Sequence, residues 1–293
     1  MRKLPALCCA IACFFALPAH VEGQSRGGTG NQNLLDSAMS DMDRVFNTAE
    51  ADFTMEDAYY LGRTVAANIL AVYKPYTRNA EMTQYVNRIC QTLVLHSSQP
   101  IAYNGYHVIV LDSAEFNAFA TTGGHIFITK GLVESASSED MLAAVIAHEL
   151  AHITLKHSLS IIKDMKFTDE MSAMAGRAAD FAGKDSEASK RLALFRNSVG
   201  KTMDTMLKNG YSQSQEFEAD REAVALLYKA GYDPAALTDL LKVLQRVQSS
   251  QKGGFNTTHP SPRERITNVE SLRYRTQDTR TYRAARFKTA IGK

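Results

Sequence analysis

The chain has 293 residues, of which 45% are hydrophobic and 22% charged, with a formal net charge of +2. This length suits one large domain or two small ones, and the composition allows a sizeable core. Because the charge is nearly balanced, we expect no nucleic-acid binding and no strong electrostatic steering of a ligand.

The first segment, Met1–Gly23, has the pattern of a secretory signal peptide. A basic start precedes an apolar run over Leu4–Ala19, and small residues follow. The run is shorter than the roughly 20 residues of a spanning helix. We therefore expect cleavage after Ala19 or Gly23 and export, to a bacterial periplasm or an outer-membrane-associated position. An uncleaved anchor and a lipidated cysteine are the alternatives.

Cys90 is the one cysteine that remains after such cleavage, so no intramolecular disulfide can form. Its place on the apolar side of a helical pattern predicts a core thiol. Export without disulfides fits a bacterial envelope. Residues 24–33 are rich in Gly, Ser and Gln, which predicts a flexible leader.

The next elements change from helices to strands. Apolar residues three and four apart predict helices over Met55–Val72 and Ala80–His96. A continuous apolar run over Tyr106–Leu111 predicts a buried strand, and Gly123–Thr129 predicts a second strand entered through a Gly-Gly turn.

The second strand immediately precedes the most informative helix of the chain. We expect it to be an edge strand that pairs with an extended substrate, which makes Gly124, His125 and Ile126 candidate substrate-binding residues. The alternative for His125 is an ordinary exposed strand histidine.

Ala147–His152 contains the pattern H-E-x-x-H within a run of strong helix formers. On a helix His148 and His152 share one face, as two ligands of a tetrahedral Zn²⁺ require. Glu149 lies beside the metal, where it can hold a water, take its proton and pass it to a leaving amine. We expect one Zn²⁺ per chain, although cobalt or manganese could bind such ligands in vitro.

The alternative is two satisfied histidines and a solvated glutamate. Chance would place only about 0.01 such patterns in a chain of this composition, and burying three such groups in an apolar helix without a metal is costly. We expect the helix to continue to about Ser160, which turns His157 about 140° away from His152 and leaves it a structural residue.

Residues 161–210 are rich in Met and Ala, with interrupting glycines. They predict amphipathic helices over the active-site face, which could act as a mobile lid.

A third ligand must come from another element. Ser212–Ala230 predicts a strong helix that Gly231 ends. Its Glu216 and Asp220 are four residues apart and share a face. Glu216 can then bind the metal while Asp220 accepts the ring N–H of a metal-bound histidine. We expect Glu218 to point elsewhere, as a surface or salt-bridge group.

These motifs together resemble the Ste/HtpX/BepA family of zinc metallopeptidases, in particular its soluble exported branch. The resemblance rests on H-E-L-A-H and E-F-E-A-D, with N-A-F-A and G-G-H-I-F-I upstream and T-H-P-S-P-R-E-R downstream, and it covers about Tyr59 to Leu272.

The resemblance implies a gluzincin peptidase in which Glu149 is the general base and Asp220 is a carboxylate that contacts a metal ligand. The three metal ligands it implies are His148, His152 and Glu216. It also implies that His259 approaches the metal, to regulate it or to steady the oxyanion, and that Asn117 and Arg265 belong to the substrate-binding surround. For His259 a simple turn residue before proline is the alternative.

The chain also departs from the family. We expect no spanning helix after the first segment and no repeat-type docking domain, since the chain ends before one. The basic tail over residues 279–293 predicts a solvated segment, with peripheral contact to an anionic membrane surface as the alternative.

We predict an α+β fold over residues 34–278, a single, mostly helical, zincin-like metallopeptidase domain with a small β-sheet beside the H-E-x-x-H helix. The predicted function is zinc-dependent hydrolysis of peptide bonds in unfolded, misfolded or misassembled cell-envelope proteins. One alternative is an exported chaperone-like binding protein with a self-inhibited metal site. Another is a zinc hydrolase of non-peptide substrates.

Overall fold

The computed structural model describes residues 54–164, 210–248, 259, 262–272, 274 and 280–292. They all belong to one compact unit, Asp41–Lys293. The predicted signal peptide, the predicted flexible leader and residues 165–209 of the predicted lid lie outside the described residues.

The described part of the chain is mostly helical with one small sheet, which confirms the predicted α+β class. None of its helices is long and apolar enough to cross a membrane. The elements in chain order are α1 (Met55–Val72), α2 (Ala80–Val94), β1 (His107–Leu111), β2 (Ala118–Thr121), β3 (His125–Thr129), α3 (Lys130–Ser135), α4 (Glu139–Thr154), α5 (His157–Asp164), α6 (Gln213–Lys229), α7 (Ala235–Gln248), α8 (Pro262–Ser271) and α9 (Arg280–Ile291).

The sheet of the described residues has the order β1-β3-β2, with β3 parallel to β1 and antiparallel to β2. The expectation that β3 is an edge strand is therefore wrong, because β3 has a partner on both sides. The outer edge of β1 is covered by the Asn87 side chain on α2, whose Oδ1 accepts from Val108 N–H at 2.9 Å and whose Nδ2 donates to Val108 C=O at 2.7 Å. Strand β2 is the edge that lies beside α4.

Helix α4 is buried on nearly every side. Ser138 caps its start, where Ser138 Oγ accepts from Met141 N–H at 3.2 Å. It ends at Thr154, six residues earlier than predicted. Lys156 adopts a left-handed conformation with φ 59°, and its N–H donates to Ile153 C=O at 3.0 Å. This left-handed residue ends the helix as a glycine commonly does. Helix α5 then begins at His157.

Helix α6 has the expected signals at both ends. Ser212 and Gln215 form a capping box at its start, and Gly231 follows its end with φ 77°. The buried side of α6 packs along α4, so the acidic residues of α6 face the histidines of α4.

The prediction of a solvated tail over residues 279–293 is wrong, because most of this segment forms α9. This helix buries Phe287 and Ala290 in the core against α2 and α4. Arg286 forms a hydrogen-bonded ion pair with the buried Glu139, and Arg283 pairs with Asp140 at 3.1 Å. The last described helix therefore neutralises both carboxylates in the first turn of α4.

Cys90 on α2 is fully buried, which confirms the predicted core thiol, and burial raises its pKa to about 12. Because only the thiolate reacts, iodoacetamide should modify Cys90 in the folded protein at least about a hundred times more slowly than in urea. Mass spectrometry of the Cys90 peptide at pH 8 measures both rates. Equal rates would contradict the described packing of α2.

Candidate metal centre

The two histidines of the H-E-x-x-H pattern lie on one buried face of α4. His148 Nε2 and His152 Nε2 are 3.1 Å apart, and their side chains are 1% and 0% exposed. The four-residue spacing thus brings the imidazoles together as predicted.

Glu216 reaches the same point from α6. Its Oε2 lies 3.5 Å from His148 Nε2, and its Oε1 lies 3.5 Å from His152 Nε2. The carboxylate is fully buried. Helix α6 therefore supplies a third group to the pair on α4.

His259 completes the cluster. Its Nδ1 lies 3.2 Å from His148 Nε2 and 2.9 Å from Glu216 Oε1. Among the described residues, His148, His152, Glu216 and His259 form a group in which one ligand atom of each lies within 4.8 Å of the others. All four side chains are buried.

These separations fit a tetrahedral metal site. Four ligands at about 2.0–2.1 Å from a zinc ion are separated by roughly 3.3–3.4 Å, close to the 2.9–3.5 Å found here. Hydrogen bonds alone do not account for the cluster, because His148 Nε2 approaches two other ring nitrogens and can share at most one proton. A cation at the centre would satisfy all four groups.

Glu149 is buried next to this cluster. Within the described part of the chain, neither of its carboxylate oxygens has a hydrogen-bond partner, although His259 Nε2 lies 3.4 Å from Oε1. Burial raises its pKa above the usual range. A buried carboxylate of this kind is costly unless it serves a water or substrate at the site.

Arg265 of α8 connects the carboxylates of α6. Its Nε and Nη2 donate to Asp220 at 2.8 and 2.7 Å, and its Nη1 lies 2.6 Å from Glu216 Oε2. Burial opposes ionisation of Glu216, but the charges of Arg265 and His259 hold its pKa well below the usual range. Glu216 is therefore an anion, as a metal ligand must be.

The outer nitrogens of the two α4 histidines have different partners. His148 Nδ1 lies 3.1 Å from Asp220 Oδ1, the contact expected from the sequence. Burial lowers the pKa of His148, but the carboxylates of Asp220 and Glu216 outweigh burial and raise it to about 9. His152 Nδ1 instead lies 2.9 Å from His157 Nδ1. Burial holds the pKa of His152 well below its usual value.

Sequence reasoning missed two contacts of His152: its Nδ1 lies 2.9 Å from His157 Nδ1, and Tyr211 stacks on its ring at 3.9 Å. Glu218 is a half-exposed salt-bridge group as predicted, and its Oε2 lies 3.3 Å from His157 Nε2. His157 was expected to be 140° away, which is wrong because α4 ends before it. The available signal was a further histidine, five residues after the last histidine of H-E-x-x-H, with an acidic helix later in the chain.

The residues predicted for substrate binding divide into two groups. Arg265 lies in the metal centre, and Asn117 is a buried residue directly before the edge strand β2. His125 and Ile126 begin β3, the central strand of the sheet, and Gly124 directly precedes them. A Cβ on Gly124 would lie 2.4 Å from Gly105 O, so this glycine allows a close approach of two backbones.

His125 is half-buried, its ring stacks on Tyr59 at 5.6 Å, and burial lowers its pKa. Ile126 is a core residue. No edge-strand pairing can come from these three residues, and β2 is the candidate for that contact.

The sequence of this region is similar to that of known proteins. The sequence profile of Peptidase family M48 matches residues 78–273. A "Beta-barrel assembly-enhancing protease" of Escherichia coli (strain K12) is 28% identical over 199 residues, which cover 67% of this chain and 40% of that protein.

Two further relatives are metallopeptidases by name. The "Mitochondrial metalloendopeptidase OMA1" of Schizosaccharomyces pombe is 28% identical over 78% of this chain and 63% of its own length. The "Metalloprotease LoiP" of Escherichia coli (strain K12) is 25% identical over 65% of this chain and 70% of its own length. In contrast, the match to the beta-barrel assembly-enhancing protease spans less than half of that protein.

Proposed function

Because the chain belongs to peptidase family M48, we propose that it is a zinc-dependent endopeptidase that hydrolyses peptide bonds in misfolded or misassembled cell-envelope proteins. The observation that carries the proposal is the buried set of four ligand atoms with the unpartnered carboxylate of Glu149 beside it. Export to a bacterial periplasm is proposed from the signal-like pattern of Met1–Gly23.

The roles of the residues follow from their positions. His148, His152 and Glu216 hold the metal, and Asp220 fixes the orientation of His148. When bound, zinc would polarise the scissile carbonyl and make a water acidic enough to attack at neutral pH. Glu149 takes the proton of that water and delivers it to the leaving amine. Its carboxylate is buried beside the ligand atoms, which places it for both steps.

Zinc content and cleavage of unfolded casein by the purified protein test this proposal. We expect about one zinc per chain, cleavage that a chelator stops, and recovery when zinc is returned. Zinc binding without casein cleavage, but with hydrolysis of small esters, would favour the non-peptide hydrolase. Because β3 is not an edge strand, the Gly-Gly entry to β3 does not exclude that alternative.

The position of His259 gives a specific reason to keep the chaperone-like alternative. With His259 as fourth ligand, protein atoms fill every corner of the tetrahedron, whereas hydrolytic zinc sites keep one corner open. A protein in this state would not cut the chains that it contacts, as the chaperone-like alternative requires.

We therefore expect His259→Ala to raise the rate of casein cleavage at saturating zinc. If the open form makes up a tenth or less of the wild-type protein, the rate rises by about tenfold or more. Zinc affinity should fall, because one ligand is lost. A fall in kcat with zinc bound would instead show that His259 acts on the substrate.

Wild type and His259→Ala also distinguish the chaperone-like alternative from the peptidase. If both suppress aggregation of unfolded casein and neither cuts it, the binding function is favoured over the peptidase. His96→Ala, a change at an exposed position just after α2, is the matched control and should leave cleavage unchanged.

A further inference from the structure

The contact between His152 and His157 depends on the break between α4 and α5. The left-handed Lys156 interrupts the helix after Thr154, and His157, at the start of α5, lies directly beside His152. A continuous helix would have separated the two rings. His157 is 4% exposed. Its Nδ1 contacts His152, and its Nε2 contacts Glu218.

The hydrogen bonds allow one consistent placement of protons. His152 directs Nε2 toward the other ligand atoms, so its single proton must be on Nδ1. That N–H can donate only to an unprotonated Nδ1 of His157, 2.9 Å away. The proton of His157 is then on Nε2, from which it donates to Glu218 Oε2 at 3.3 Å.

We propose that His157 and Glu218 are positioning residues that act in series, with Glu218 selecting the tautomer of His157 and His157 thereby holding Nε2 of His152 toward the metal. The inference rests on the ligand set of the proposed function. It adds a contact that the H-E-x-x-H pattern does not contain.

Charge and exposure distinguish this pair from the partner of His148. Asp220 is fully buried and contacts His148 directly, whereas the Glu218 side chain is 49% exposed and acts through a buried histidine. Partners of metal-bound histidines are usually carboxylates, carbonyls or waters. Here a neutral imidazole takes that place, and a carboxylate at the surface orients it.

Three acidic residues of one helix then serve the same centre in different ways. Glu216 and Asp220 lie on the buried face of α6, and Glu218 lies on the side turned toward α5. Because all three residues lie on one helix, α6 sets the distances among them.

Zinc affinity, measured by competition with a chromophoric chelator, tests the proposal without any assay of peptidase activity. His157→Phe keeps a ring but removes the acceptor, and we expect zinc affinity to fall by about 10- to 100-fold. His157→Asn places an amide oxygen where Nδ1 was, and it should recover much of that loss. The absorption spectrum of the Co²⁺-loaded protein should change with Phe and return toward wild type with Asn.

Glu218→Leu should also weaken zinc binding, by less than His157→Phe. In the His157→Phe background the same Glu218 change should have no further effect, because the residue through which Glu218 acts is gone. Ser158→Ala is the matched control. It removes a buried hydrogen bond to Tyr211 beside His157 and should leave zinc affinity within about threefold of wild type.

The inference is overturned if His157→Phe binds zinc as tightly as wild type, or if Phe and Asn lose the same affinity. Additive effects of the His157 and Glu218 changes would show that the two residues act separately. Wild-type protein that binds no zinc would mean failure of the proposed function itself, which is a different result from unchanged affinity in the variants.

Discussion

Glu149→Gln is expected to lower kcat for casein cleavage by about three orders of magnitude, with zinc still bound. Glutamine has the shape of glutamate but cannot accept a proton from the attacking water. The Glu149 carboxylate is buried beside the four ligand atoms and is not one of them, so the ligand set is intact in the variant.

Zinc content and steady-state cleavage of the same preparations measure both parts of this result. Glu270→Gln is the control for the loss of a carboxylate, because Glu270 is half-exposed and pairs with Lys242 on the surface. A Glu149→Gln protein that cuts within tenfold of wild type would show that another group takes the proton.

The second large effect is expected at Arg265, whose replacement by Leu should destabilise the fold by about 3–5 kcal/mol. Arg265 is 1% exposed and is the shared cation of Asp220 and Glu216. Without it, two carboxylates are buried with one fewer positive charge. The free energy of unfolding in urea, with a chelator present, measures this cost without stabilisation by metal.

Arg78→Leu is a matched comparison, since Arg78 also makes two hydrogen bonds to one aspartate, Asp112. That pair is on the surface, with side chains 70% and 36% exposed, so we expect less than about 1 kcal/mol. Similar losses for the two variants would mean that the Arg265 cluster is far better solvated than its burial indicates.

The candidate metal ligands of α4 and α6 could be predicted from the sequence because the geometry within each helix is local. Residues four apart on a helix share a face wherever the helix lies, which is sufficient for His148 with His152 and for Glu216 with Asp220. The capping residues at the two ends of α6 are equally local signals.

Other features depended on contacts between distant parts of the chain or on unusual backbone conformations. The order of the strands places β3 between its neighbours, and no pattern within β3 reveals that. The end of α4 depends on a left-handed lysine where glycine is the common signal. His259 joins His148 across 111 residues, a contact that only the family resemblance suggested.

Helix α9 has a consequence for how the protein matures. Arg286 and its partner Glu139 are 147 residues apart, and Arg283 reaches Asp140 in the same turn of α4. Until α9 packs against α4, the first turn of the histidine-bearing helix has buried carboxylates without their cations. The start of this helix therefore depends on a contact between distant parts of the chain, and such a contact forms late in folding because a long stretch of chain must close first.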